Sequence, residues 1–301
     1  MLMCFEEMEI RAALDWRELI AAMEKALAEF SAGRVIQPLR SIVTIEEESR
    51  YLGLMPVVTP EAMGLKAVTF YPSNASSAIP THMAVVLLFR PDTGEPLAIM
   101  DGRLITEMRT AAVSAAVTNR LASPDSHVLA LLGSGVQARS HLEALAQVRK
   151  FDDVRVWSQT PENARRFAEQ YGVRATDAES AVRGADVVVV ATTARQPVLR
   201  GAWLKPGAHV NAIGAPRPTW RELDDHVMAN MIIVDSREAA LKESGDVILS
   251  KASIYAEAGE IFAGIKPSPA SKTTVFKSLG LAVEDIVAAK LVTERLAAKH
   301  G

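Results

Sequence analysis

An apolar run over residues 127 to 132 leads directly into Gly133-Ser134-Gly135-Val136-Gln137-Ala138, and a helical pattern from Arg139 to Val148 follows. Small residues at these three spacings suit the turn that cradles a dinucleotide pyrophosphate. Gly133 permits the tight turn, Gly135 lets backbone N–H groups approach the phosphates, and Ala138 lets the helix pack close to the strand. The phosphates then meet the positive end of that helix. Glycine turns of this kind also serve packing alone, so the surroundings must carry part of the argument. The next strand-like run, Val154 to Trp157, ends on Ser158, Gln159 and Thr160, where such a site selects between a ribose hydroxyl and a 2′-phosphate. No carboxylate stands there to repel a phosphate dianion. Arg165 and Arg166 follow one turn into the next helix, which favours NADP(H) over NAD(H). Ser158 and Thr160 also suit the cap of a helix that begins near Pro161. Two further runs, 186 to 191 and 208 to 213, deliver Thr192, Thr193, Ile213 and Gly214 to the carboxyl ends of parallel strands, where an open α/β sheet exposes its ligand crevice.

Three basic residues in the first third of the chain form a second candidate set: Arg40 in Gln-Pro-Leu-Arg-Ser, Lys66 in Gly-Leu-Lys-Ala-Val and Arg109 in Thr-Glu-Met-Arg-Thr. Arg40 and Lys66 lie in strand-like apolar runs, where an unpaired buried cation is costly. Arg109 shares a helix face with Ile105, Ala112, Val113 and Ala116. Converging on one cavity, the three would hold a carboxylate, with the two guanidiniums able to grip it bidentately. Taken singly, each reads better as a solvated or salt-bridged surface residue, because strand edges and helix flanks often carry Lys or Arg. His82, beside Pro80, is either a structural histidine or a proton donor, and His209 reads as core. Glu243-Ser244-Gly245-Asp246 either passes near a nicotinamide or forms an ordinary turn. The segment Lys272 to Gly280 either closes over a cofactor or starts a helix at Thr273 and Thr274. Trp157, Trp203 and Trp220 are assigned to packing.

The elements that must position these residues fall into two regions. A chain of 301 residues, 49% hydrophobic and 23% charged, is long enough for two domains. An amphipathic helix over 14 to 33 precedes strands at 39 to 45, 51 to 58, 64 to 71, 82 to 90 and 96 to 100, with Arg90 to Gly94 as a hairpin connection. A long helix over 102 to 121, capped by Asp101, leads into alternating strands and helices, and a helix over 281 to 298 closes the chain. The fold class is α/β: a Rossmann-type NAD(P)-binding domain over 113 to 280, plus an α+β domain over 1 to 112 and 281 to 301. A net charge of −3 provides no field for nucleic acid. No apolar run approaches the roughly 20 residues of a membrane helix, acidic residues at Glu6, Glu7 and Glu9 argue against a signal peptide, and the single Cys4 fits a reducing cytoplasm. No metal-type spacing of His and Cys occurs.

From Lys66 onward the chain resembles the ornithine cyclodeaminase/mu-crystallin family, and within it the NADPH-dependent ketimine reductases. The resemblance rests on Thr-His-Met-Ala-Val-Val-Leu-Leu-Phe (81 to 89), Met-Asp-Gly-Arg-Leu-Ile-Thr-Glu-Met-Arg-Thr-Ala-Ala (100 to 112), Leu-Gly-Ser-Gly-Val-Gln-Ala (132 to 138), Lys-Pro-Gly-Ala-His-Val-Asn-Ala-Ile-Gly-Ala (205 to 215), Glu-Ser-Gly-Asp (243 to 246) and Thr-Val-Phe-Lys-Ser-Leu-Gly (274 to 280). The last two are far more specific than the glycine motif. The resemblance implies a homodimer whose first domain binds substrate and dimerises, with Arg40, Lys66 and Arg109 holding the carboxylate of a cyclic imino or amino acid. Two positions depart from the family. After Gly214-Ala215 the cyclodeaminases carry Asp and the mu-crystallin branch Ser, whereas this chain has Pro216, which offers neither a base nor a hydrogen bond. A cyclodeaminase needs a proton acceptor near the reacting carbon, whereas reduction of a preformed cyclic imine asks less. Gln159 replaces an Arg that would face the 2′-phosphate, which weakens the NADP(H) preference. The expected activity is reduction of 1-pyrroline-2-carboxylate or 1-piperideine-2-carboxylate type ketimines by hydride transfer to C2, with Lys66, Arg109 and His82 as catalytic candidates and Pro216 at the substrate. An ornithine cyclodeaminase, an alanine-type dehydrogenase and a non-catalytic NADPH-binding crystallin-like protein are the alternatives.

Overall fold

The computed structural model describes residues 2–47 and 49–300, and at 75, 76 and 298–300 the backbone alone. The chain divides into two compact units, Met1–Thr110 with Leu281–Gly301, and Ala111–Gly280.

The first unit opens with β1 (Met3–Phe5), α1 (Glu7–Ala13) and α2 (Trp16–Ser31). Asp15 starts α2 by accepting the backbone N–H groups of Arg17 and Glu18, and Leu19, Met23, Ala26 and Leu27 bury its apolar stripe. Five strands follow, β2 (Ser41–Glu46), β3 (Arg50–Val58), β4 (Met63–Phe70), β5 (His82–Phe89) and β6 (Pro96–Asp101). They pair as an antiparallel meander, and β1 joins β6 in parallel to give the order β1-β6-β5-β4-β3-β2. Period-two alternation separates two faces. Met55, Val57, Gly64, Lys66, Val68, Val86 and Leu88 lie on the buried face, against which α11 (Ala282–His300) packs. The opposite face carries Leu54, Ala67 and Val85 in one cross-strand row and Val43, Leu52, Thr69 and Met83 in the next.

Gly64 sets how closely α11 approaches β4. A Cβ there would stand 2.4 Å from both the Leu87 carbonyl and the Ile286 Cδ1. The Ile286 side chain can yield, but the carbonyl belongs to the neighbouring strand and cannot. Gly64→Ala is therefore expected to cost about 1–3 kcal/mol, read as a lower denaturant midpoint at unchanged slope.

Helix α3 (Gly102–Leu121) begins where the Asp101 side chain accepts the Arg103 N–H at 2.8 Å, as its N-cap position predicts, and it runs across the boundary between the units. The second unit contains β7 (Val128–Leu132), α4 (Val136–Leu145), β8 (Asp153–Trp157), α5 (Pro161–Tyr171), β9 (Arg174–Ala175), α6 (Ala178–Val182), β10 (Val187–Val190) and β11 (His209–Ala212). After them come α7 (Asp225–Met228), β12 (Met231–Val234), α8 (Arg237–Glu243), α9 (Gly245–Ser250), β13 (Ile254–Glu257), α10 (Ala258–Phe262) and β14 (Thr274–Lys277). All pairings are parallel, in the order β13-β12-β14-β11-β10-β7-β8-β9. The order reverses between β7 and β10, the switch point at which a doubly wound sheet opens its ligand crevice.

Four elements depart from expectation. β1, β9 and β13 are short strands paired to distant segments, invisible to local periodicity. Residues 272 to 280 form neither a lid nor a helix start: β14 lies inside the sheet between β11 and β12. Thr273 and Thr274 mimic a capping signal, but Thr-Val-Phe is a strand-forming run buried on both faces, as internal parallel strands are. His209 opens β11 and is fully buried, the core residue that the sequence predicts, bonded to Thr274 and Asn211.

Candidate active site

In the first unit the three predicted cations converge. Lys66 projects from β4 toward α11, and its ammonium lies 2.7 Å from Asp285 Oδ2 and 3.5 Å from Thr106 Oγ1. Arg109 donates from Nε to Asp285 Oδ1 at 3.0 Å and pairs through Nη1 with Glu284. Lys66, Arg109, Glu284 and Asp285 are all buried. Arg40, half-buried one residue before β2, is near enough for its charge to act on Lys66. Gln37, three residues earlier, accepts the Val283 N–H at 2.8 Å and so ties this segment to the first turn of α11. His82 begins β5, and the charges of Lys66, Arg109 and Asp285 all reach its ring.

A guanidinium free along both edges, as expected for Arg109, is not what the structure presents, because Nε and Nη1 already face carboxylates. Glu284 and Asp285 are the residues missed in the sequence. At the start of a predicted helix two acidic residues read as dipole complements, and nothing local shows that they turn inward. Their presence removes the objection to burying Lys66 and Arg109, since two carboxylates balance the two buried cations.

That balance shapes the electrostatics. Burial pushes Lys66 down to about 8, with Arg109 and Arg40 adding to the effect and Asp285 opposing it. Burial acts against the charge on Arg109, but Asp285 and Glu284 outweigh it and hold the guanidinium above its ordinary value. Burial alone would raise Asp285, yet Arg109 and Lys66 hold it below the usual carboxylate range. His82 is pushed down to about 4 by burial first, then by Lys66 and Arg109. It is therefore uncharged at neutral pH.

In the second unit the glycine turn has the geometry a dinucleotide needs. Gly133 lies at φ +119°, and a Cβ there would come 2.3 Å from the Ala191 carbonyl, so only glycine fits between β7 and β10. Gly135 is the N-cap of α4, no side chain caps its N-terminus, and open space surrounds the position a Cβ would take. The buried Gln137 Oε1 has no hydrogen-bond partner. Open helix amides and an orphaned polar atom at one turn fit a pyrophosphate and its flanking sugar. Ser134 and Val136 flank Gly135, and Ala138 is buried against the sheet. Ser158 is half-buried, whereas Gln159 and Thr160 are exposed. Thr160 occupies the N-cap of α5, yet its side chain makes no capping bond, so its hydroxyl is not committed there. Arg165 and Arg166 are exposed and engage Glu162 and Asn163 on their own helix.

At the carboxyl ends of β10 and β11 the two specific motifs meet. Lys277, the last residue of β14, ion-pairs with Asp246 Oδ2 at 2.8 Å, lies 3.4 Å from Glu222 Oε1, and donates to the Gly214 carbonyl. Glu222 Oε1 accepts the Gly214 N–H at 2.7 Å, and Oε2 accepts from Thr192 Oγ1 at 3.2 Å. Asp246 Oδ1 accepts the N–H groups of Glu222 and Leu223 at 2.9 and 3.0 Å. Glu222, Asp246 and Lys277 are all completely buried. Ser244, Gly245 and Asp246 thus form more than a turn: Gly245 lies where a Cβ would meet the Trp220 carbonyl at 2.1 Å. The network fixes Gly214 and the turn after it, where Ala215 is buried at φ 50° and Pro216 is half-buried. A left-handed alanine costs about 1–3 kcal/mol and persists because its neighbours hold it. Ile213 and Thr192 are half-buried beside this turn in sequence or by contact, and Thr193 is exposed.

The sequence model of the ornithine cyclodeaminase/mu-crystallin family matches residues 1–300. The ketimine reductase mu-crystallin of Mus musculus is 53% identical over 283 residues, which cover 91% of this chain and 90% of that protein. The solved Δ1-pyrroline-2-carboxylate reductase of Thermococcus litoralis, in complex with NADH and L-proline, has a TM-score of 0.93 at 36% identity, covering 99% of this chain and 98% of that one. An archaeal alanine dehydrogenase dimer with bound NAD has a TM-score of 0.93 at 33% identity, covering 100% of this chain and 97% of that one. The chain belongs to the ornithine cyclodeaminase/mu-crystallin family.

Proposed function

We propose that the protein is a reductase of cyclic ketimine carboxylates that uses a nicotinamide dinucleotide, NADPH ahead of NADH. The observation that carries this reading is the convergence of buried Lys66 and Arg109 with half-buried Arg40, whose charge acts on Lys66, as a set of cations able to grip a substrate carboxylate. The mouse relative named as a ketimine reductase and the Thermococcus enzyme holding NADH and L-proline support it. In this reading the first unit holds substrate and the second holds cofactor. When bound, the reduced cofactor supplies hydride to C2 of the imine. Arg40, Lys66 and Arg109 hold the carboxylate and so orient that carbon. Lys66, with its value near 8, is the one cation of the three able to exchange a proton near neutrality, which makes it the candidate source of the imine proton. His82, uncharged at neutral pH, acts as a hydrogen-bonding wall. Pro216 supplies no base, which argues against ornithine deamination.

The chain works as a homodimer on the same reading. The outer face of the first sheet exposes Val43, Met83 and Val85 beside half-buried Leu54, Leu65 and Leu87, and a second copy would cover it. The related alanine dehydrogenase is a dimer. No helix among the described residues is long and apolar enough to cross a membrane. A cytoplasmic location accords with one free cysteine, Cys4. The side chains of Ser158, Gln159 and Thr160, none of them a carboxylate, support NADPH, although Arg165 and Arg166 are paired along their helix.

Incubation with ornithine and catalytic NAD would release ammonia from a cyclodeaminase without net cofactor change, whereas the proposed reductase consumes one NADPH for each cyclic imine supplied. An alanine dehydrogenase, the second reading that the archaeal structure favours, would turn over pyruvate and ammonia faster than either imine. Tight NADPH binding without turnover of any of these would leave a binding protein.

The cation cluster also predicts a pH dependence. Pyrrole-2-carboxylate is a planar ring carboxylate without a basic amine, so its charge is constant through the neutral range. It binds the charged form of Lys66. Below about 8 that form dominates, and above it the ammonium is lost, so the dissociation constant should rise up to about tenfold per pH unit. Lys66→Arg should flatten the profile; a flat profile in the wild-type protein would show that Lys66 does not hold the carboxylate.

A further inference from the structure

In the buried network of the second unit carboxylates outnumber cations: one ammonium, Lys277, faces two carboxylates, Glu222 and Asp246. These are the charged groups that face Glu222, Lys277 from β14 and Asp246 from α9; its other neighbours are the neutral Thr192 hydroxyl and Gly214 amide. With both carboxylates ionised the network carries one net negative charge, and a proton on Glu222 makes it neutral. The position for that proton is defined. Oε1 already faces two donors, the Gly214 N–H and the Lys277 ammonium, so the proton belongs on Oε2. There it donates to Thr192 Oγ1, which in the ionised state donates to Oε2 instead and accepts the Ala194 N–H. The switch thus costs one rotation of the Thr192 hydroxyl, whose own O–H turns away from Oε2 on a half-buried residue. Burial and Asp246 raise Glu222 while Lys277 opposes them, leaving it at about 7, where both states are populated.

The network touches two residues at the ligand side of the sheet, Thr192 after β10 and Gly214 after β11. In a doubly wound sheet the half beyond the switch point binds the second mononucleotide of the dinucleotide, its nicotinamide end. The oxidised ring is cationic and the reduced ring is neutral, so a nearby charge that comes and goes must discriminate between them. We propose that Glu222 is a positioning residue that couples proton uptake to the redox state of the bound cofactor: ionised Glu222 favours the oxidised nicotinamide, and protonated Glu222 favours the reduced one. This inference rests on the proposed binding of a nicotinamide dinucleotide by the second unit. It assigns Lys277 and Asp246 the task of holding Glu222 at a point where it can switch. By linkage, replacing NADP⁺ with NADPH draws a proton onto Glu222.

The test is binding, not turnover. Dissociation constants of NADP⁺ and NADPH are measured by calorimetry from about pH 6 to about pH 7.5, a window below the Lys66 value, on wild-type protein and on Glu222→Gln. Both ligands carry the same phosphates, so their ratio cancels phosphate titration. In the wild type NADP⁺ should gain about tenfold on NADPH across the window, and in Glu222→Gln the ratio should be flat. A flat wild-type ratio, or an equal slope in the variant, overturns the proposal. If the variant does not fold, the wild-type proton count from titrations in two buffers decides: more proton uptake with NADPH than with NADP⁺ supports it, and equal uptake overturns it. Failure of both nucleotides to bind would instead remove the cofactor reading itself.

Discussion

Arg109→Leu is expected to lower kcat/KM for a cyclic ketimine carboxylate by about 10³-fold or more, because it removes a buried charge pair and strands its partners. The loss should fall on the substrate alone. Arg109 belongs to the unit that carries the cation cluster, and the glycine turn belongs to the other, so the NADPH dissociation constant should stay within about twofold. The side chain holds Asp285 through Nε and Glu284 through Nη1. Without it two buried carboxylates share Lys66 as their buried cation, and a substrate carboxylate meets a site with one positive charge fewer. Arg109→Lys restores the charge without the fork and should recover only part of the activity. Steady-state kinetics with a separate NADPH titration checks this. Equal loss of imine turnover and NADPH affinity would show that Arg109 serves the cofactor instead.

Lys277→Met should destabilise the protein by about 3–5 kcal/mol, since it leaves two adjacent buried carboxylates without a cation. In thermal unfolding this corresponds to roughly 10 °C. The deficit should depend on pH. Without Lys277 the Glu222 carboxyl, already raised by burial and Asp246, loses the cation that opposes the rise, so the folded variant binds a proton that the unfolded chain does not. Its stability then falls as pH rises through the neutral range. The gap from wild type should accordingly be smaller at about pH 6 than at about pH 8. Adding Glu222→Gln to Lys277→Met should recover part of the loss, because it removes one of the stranded charges. A loss below about 1 kcal/mol would mean that water reaches the network and that it is not a buried switch.

Much of this was legible in the residues because the relevant signals are local. The glycine spacing at 133, 135 and 138, the Asp101 cap and the alternation through β3, β4 and β5 each depend on neighbours a few positions away, and the structure places them as read. The cation cluster was legible as residue types but not as a balance. Its counterions, Glu284 and Asp285, follow Arg109 by more than 170 positions, and in the sequence they are indistinguishable from the acidic first turn of any helix. The Glu222 network failed to show for a related reason. Glu-Ser-Gly-Asp looks like a turn and Thr-Thr-Val-Phe-Lys like a helix start until β14 is known to lie between β11 and β12. Burial on both faces then converts Lys277 from a strand-end lysine into the cation of a closed ionic site.

In the proposed reaction fixed cations grip an anionic substrate so that its imine carbon can accept hydride. The most direct test compares NADPH oxidation with 1-piperideine-2-carboxylate against 1-piperideine, the same ring without the carboxylate. If the cluster orients the reacting carbon, removing the carboxylate should cost about 10³-fold or more in kcat/KM, with the remaining rate unaffected by Arg109→Leu. Comparable rates for the two imines in the wild-type protein would contradict it.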